Sequence, residues 1–232
     1  MKRLAVIINA LMVLLICVGD IFYITKGTLL IKSITSALFV LMGVVNLIFA
    51  IKLKTNKLKF SIIILIGLVF AMLGDILLEI EFIVGAALFA LGHVFFFISY
   101  CFLVKFNYKD LIYGVCIFVP AMLFILLAPM FKQVEVLMKV VCVVYALIIS
   151  LMVGKSIANF VKVRSVLHLI IMIGSVLFFF SDLMLLLNVF GGVGRIAGVL
   201  CLATYYPAEF VLAYSILHAS LQTKNINNKD EV

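Results

Sequence analysis

Eight runs of apolar residues, each close to bilayer-spanning length and separated by short charged breaks, take up nearly the whole chain. They cover residues 4–24, 29–51, 60–78, 82–104, 111–130, 136–154, 166–190 and 196–217. About 20 residues of helix cross ~30 Å of hydrocarbon. A helix is also the only open-ended structure that satisfies its own backbone in lipid. The pattern therefore predicts an all-α fold, a polytopic membrane bundle of eight transmembrane helices. One domain would occupy residues 1–221, followed by a disordered polar tail over 222–232. With 67% hydrophobic and 12% charged residues, no stretch can surface a separate aqueous domain. Any chemistry must sit between helices. Lys2-Arg3 resembles the start of a signal peptide, but the run that follows reaches bilayer length and lacks a small-x-small cleavage site, so it reads as an uncleaved first helix.

The charges in the breaks orient the bundle. Thirteen basic residues fall on the face that carries both termini, and five (Lys26, Lys32, Lys132, Lys139, Arg195) fall on the other. The positive-inside rule makes the first face cytoplasmic. The expected location is the cell membrane of a bacterium, and this topology accounts for the net charge of +8 without a nucleic-acid partner. Cys17, Cys101, Cys116, Cys142 and Cys201 lie in different runs with no Cys-x-x-Cys pair, which argues against a disulfide framework or a thiolate metal site.

A shift of 107 residues brings sparse polar positions into register. Ile66-Gly67-x-Val69 with Asp75-x-x-Leu78 falls on Ile173-Gly174-x-Val176 with Asp182-x-x-Leu185, Lys32 on Lys139 and Lys57 on Arg164. Apolar matches are cheap in such a chain; matches among so few charges are not. The shift predicts a 4+4 internal repeat about an axis along the membrane normal, with the two aspartates facing each other at similar depth.

Ionisable groups inside spans cost at least ~2.5–3.5 kcal/mol each at mid-bilayer, so each needs a reason. Asp75, Asp182, His93, Tyr205, Tyr206 and Glu209 cluster by depth in the half away from the termini, with Lys32 near that interface. Asp75 and Glu79 share a helical face, as do Tyr205 and Glu209. Gly85, Phe89 and Gly92 line a face beside His93, where glycine admits close approach. A structural reading stands beside the functional one: the aspartates paired with Lys32 or capped by hydroxyls, His93 and the tyrosines as polar glue. Glu79, Glu81 and Asp20 read as interfacial and Asn46 as structural. His168 and His218 fall near the opposite face from His93, which argues against a three-histidine zinc site. No metal and no cofactor is expected.

Four motifs at these positions resemble the YhhN-type membrane family, which includes lysoplasmalogenases. They are Gly74-Asp75 with Leu77-Leu78, Gly85-x-x-x-Phe89-x-x-x-His93, Gly174-x-x-x-Phe178-x-x-Ser181-Asp182, and Tyr205-Tyr206-x-Ala208-Glu209. Glu209 departs from the family's glutamine and Lys32-Ser33 from its Lys-Pro. The resemblance implies a hydrolase acting on a lysophospholipid in the bilayer, opening the vinyl ether of a lysoplasmalogen to a fatty aldehyde and a glycerophospho-base. Asp75 and Asp182 would be its catalytic pair, with His93, Tyr205, Tyr206, Glu209, Lys32 and Ser181 binding substrate. Lys32 would meet the phosphate, and the Phe-rich interior would take the alkenyl chain from the bilayer. A proton-coupled transporter and a non-catalytic lipid-binding protein are the alternatives.

Overall fold

The computed structural model of the chain describes residues 2–227, with side chains described for 3–222. Among the described residues there are eight long helices and no strand: α1 Lys2–Lys26, α2 Leu29–Lys52, α3 Leu58–Leu78, α4 Phe82–Leu103, α5 Leu111–Leu127, α6 Val136–Val163, α7 Val166–Val189 and α8 Arg195–Asn227. All eight are long and apolar enough to cross a membrane. Their outward faces leave Leu11, Leu14, Ile34, Leu123 and Val144 exposed. Such surface is intolerable in water and required in lipid. The protein is a multi-pass membrane protein.

Three helix ends depart from the expected runs, two of them for visible reasons. α5 stops at Leu127 because Pro129 opens a 3₁₀ turn, Pro129–Phe131. α6 continues past Gly154 to Val163. The charge of Lys155 suggested an interface there, but its ammonium binds Asp110 at 2.8 Å and Lys162 binds the same carboxylate. α8 runs past Gln222 to Asn227; residues 228–232, where the rest of the expected tail falls, lie outside the described residues.

Short connections pair sequential helices: α1 with α2, α3 with α4, α5 with α6, α7 with α8. Glycine permits two of these contacts. A Cβ on Gly85 would strike the Leu78 backbone, and one on Gly154 would strike the backbone of Gly114. Packing between hairpins follows the repeat. α2 lies against α8 as α6 lies against α4, and α2 lies against α3 as α6 lies against α7. α2 starts at Leu29 and α6 at Val136, the spacing the repeat requires. The correspondence breaks on one side. α8 also approaches α1 and α3, whereas among the described residues no Cα of α4 comes within 8 Å of α5 or α7.

The centre is aromatic. Phe39, Phe89, Phe178 and Tyr205 pack edge to face, with Tyr206 beside them. Asn46 has the structural role expected. It exchanges hydrogen bonds with Asn9 at 2.7 and 2.9 Å and donates to the Ala213 carbonyl at 2.9 Å, tying α1, α2 and α8 together without an unsatisfied buried amide.

Candidate active site

α3 and α7 bring Asp75 and Asp182 to the walls of one cavity of about 140 Å³, in the half of the bundle away from the termini. Lys32, Glu79, Tyr23, Ser181, Asn188, Cys201 and Tyr205 also line it. The volume admits several water molecules. The carboxyl groups do not touch; each has its own partners.

Asp75 is 3% exposed. Its Oδ1 meets the Lys32 ammonium at 3.1 Å. Its Oδ2 accepts from the Ser36 hydroxyl at 2.5 Å and the Tyr206 hydroxyl at 3.3 Å. Lys32 turns inward from α2 and also binds Glu79 at 2.9 Å, while Tyr23 donates to the same Glu79 oxygen at 2.7 Å. Glu79 therefore belongs to the cavity mouth. Burial pushes its carboxyl up, but the Tyr23 hydroxyl and the Lys32 ammonium outweigh that and hold it below the usual carboxylate range. Lys32 is 4% exposed and its charge is met by two carboxylates, so a phosphate would compete with Glu79 for it.

Asp182 has no lysine or arginine partner among the described residues. The Tyr145 hydroxyl, from α6, donates to Oδ2 at 2.6 Å. His93 Nε2 lies 3.1 Å from the same oxygen and 2.9 Å from the Tyr145 hydroxyl. His93 Nδ1 is buried without a partner among the described residues, so the ring proton is best used on Nε2, where an acceptor waits. Asp182 Oδ1 accepts from no side chain among the described residues.

Asp182 also faces a second space. A crevice of about 90 Å³ between α4, α5, α6 and α7 is lined almost entirely by carbon. Leu78, Phe89, Asp182 and Leu185 line both this crevice and the polar cavity.

Not every expected residue arrives. Ser181 lines the cavity and lies 3.4 Å from the Cys201 thiol. Tyr205 lines it too, its hydroxyl donating weakly to the Ala71 carbonyl at 3.4 Å. Tyr206 and His93 line neither space and are hydrogen-bond partners of Asp75 and Asp182. Glu209 is fully buried, lines neither space, and neither of its oxygens makes a hydrogen bond among the described residues. Glu81 caps α4, accepting from the Val84 N–H at 2.6 Å. Asp20 is buried with Oδ1 unpartnered among the described residues. The residues that sequence reasoning missed are Tyr145, Ser36, Tyr23, Asn188 and Cys201. Ser36 was within reach, one turn from Lys32 on the same face.

No curated protein and no solved structure matches the chain. The family model described as the YhhN family matches residues 27–216, which hold every cavity-lining residue named above except Tyr23. That match spans most of the chain and all four motifs, and the chain accordingly belongs to the YhhN family.

Proposed function

We propose that this protein hydrolyses the vinyl ether bond of a lysoplasmalogen, at the cavity shared by Asp75 and Asp182, to a fatty aldehyde and a glycerophospho-base. The observation that carries the reading is the contrast between two carboxyl groups in one cavity. Asp75 meets an ammonium and two hydroxyl groups, a set of donors that suits a carboxylate. Asp182 has a phenol and an imidazole on one oxygen, no ammonium, and a second oxygen free of side-chain partners among the described residues. Vinyl ethers are opened by acid, and the division of labour parallels glycoside hydrolysis. Membership of the YhhN family supports the reading, since its resemblance to lysoplasmalogenases rests on motifs containing both aspartates.

In this mechanism Asp182 gives its proton to the outer alkene carbon. The resulting oxocarbenium ion is stabilised by the Asp75 carboxylate. Water adds to the cationic carbon and passes its proton to Asp75. The hemiacetal then collapses: Asp75 protonates the departing glycerol oxygen, the hydroxyl proton returns to Asp182, and both groups are restored. Lys32 holds Asp75 in place. His93 and Tyr145 hold Asp182.

Purified protein incubated with a lysoplasmalogen is expected to release free aldehyde. Asp75→Asn and Asp182→Asn should each lower kcat by about 10²–10⁴-fold, the usual worth of a general acid or base, while the variants still purify as folded protein. Wild-type protein that yields no aldehyde, or a folded variant near full activity, removes the proposal. Counterflow in liposomes without aldehyde would point to a carrier instead.

A further inference from the structure

We propose that the crevice walled by α4, α5, α6 and α7 is the seat of a single hydrocarbon chain, held with its polar end at Asp182. The inference deepens the reading above and rests on it for the identity of that polar end.

The duplicated architecture carries the argument. In the first half, Phe39 on α2 is fully buried and packs its edge against Tyr205, ring centres 6.1 Å apart. The repeat places Ala146 at the matching position of α6, and Ala146 lines the crevice. In the first half the backbones of α1 and α3 come close to α8; in the second, among the described residues, no Cα of α5 or α7 comes within 8 Å of α4, which meets α7 through side chains alone. At the position of Phe39 and Ala146 the first half buries a phenyl ring where its copy leaves a methyl group facing an apolar space. The basic residues part in the same way. Lys32 turns inward to Asp75, whereas Lys139, its repeat partner, lies outside and reaches the Lys132 carbonyl at 3.4 Å. The second half thus exchanges an inward cation and a phenyl plug for an apolar opening.

The opening has the chemistry of an amphiphile's mould. Its polar groups are the Cys142 thiol, the Tyr145 hydroxyl and the Asp182 carboxyl, the last two hydrogen-bonded to each other where the crevice meets the polar cavity. Everything else is carbon. Along α6 the lining runs from Val141 to Ile149, about 12 Å at helical rise.

One wall is built to yield. α5 is held at its start by Gly114 against Gly154 and by Asp110 bound to Lys155 and Lys162. Pro120 then removes the N–H that would bond the Cys116 carbonyl. Past it, Ala121, Phe124 and Ile125 form the crevice wall. A chain enters sideways between α5 and α4. Moving hydrocarbon from lipid into this space yields little free energy, because lipid is equally apolar. The crevice therefore sets register more than affinity: it decides which bond lies against Asp182.

Ala146→Phe copies the buried ring that the first half carries at the matching position. The ratio of kcat/KM for a long-chain over a short-chain lysoplasmalogen is expected to fall by at least about tenfold, as for a side chain forced into occupied space. A folded variant whose ratio stays within about twofold of wild type overturns the inference. Should Ala146→Phe fail to fold, wild-type protein with a lysolipid carrying a photoreactive group in its chain gives the answer. Labelling on the crevice faces of α5 and α6 supports the seat, and labelling confined to α1 and α2 overturns it. Crevice labelling without aldehyde release would keep the chain site and remove the hydrolase reading.

Discussion

Tyr145 gives Asp182 what Lys32 gives Asp75, but without a charge. If Asp182 releases a proton during the reaction, its hydrogen bonds from Tyr145 and His93 strengthen as the carboxylate forms, and interactions gained only then raise kcat. Tyr145→Phe keeps the ring against His93 (centroids 5.5 Å apart) and removes only the hydroxyl. It should lower kcat by about 10- to 100-fold, the worth of a hydrogen bond to a charged group, with KM little changed; an unchanged kcat would show that the hydroxyl only packs. Glu79 permits a pH test. Its carboxyl is held below the ordinary value of 4.5, so its contribution to stability is present above that pH and drains away as pH falls through the lower folded value. Thermal denaturation of detergent-solubilised Glu79→Gln should accordingly lose less stability than wild type on acidification below about pH 4.5. At this scale the sequence was legible wherever burial costs most: Asp75, Asp182, His93 and Lys32 advertise themselves as charges in lipid. Tyr145 did not, since a phenol in an apolar run costs little and carries no periodic signal. Glu209 advertised itself equally, yet the fold keeps it out of both spaces.

Among the elements, α5 and α6 hold the clearest structural test. Asp110 and Lys155 are almost wholly buried, with side chains 2% and 0% exposed. Removing one member of such a pair leaves the other charge stranded in an apolar interior, at a cost of about 3–5 kcal/mol. Asp110→Ala should therefore lower the melting temperature of the detergent-solubilised protein markedly more than Lys162→Ala, because the Lys162 side chain is 37% exposed. The same pair explains why hydropathy ended α6 too early. A lysine marks the edge of lipid only when water receives its ammonium, and here a neighbouring helix does. Helix count and most other ends were readable because apolar run length is a direct image of bilayer thickness; α8 instead runs ten residues past its expected end, into the polar tail.

For the whole molecule, the repeat was visible in a handful of charges before any coordinates, and it reappears in which helix packs on which. What the shift could not convey was where the two halves differ, because Phe39 against Ala146 is one apolar residue against another. Orientation remains a separate expectation of the charge bias. In a background with the five native cysteines replaced, a membrane-impermeant thiol reagent applied to intact cells should label Val193→Cys and spare Asn107→Cys; the reverse pattern inverts the topology. The junction at Asp182, shared by a wet chamber and an oily one, has a last consequence. A molecule severed there falls into two pieces of opposite solubility, each already standing at its own door. On the proposed reading the aldehyde would slide off into the surrounding fatty acyl tails while the glycerophospho-base would depart past Lys32 and Glu79, so that turnover could proceed without either fragment retracing the other's route.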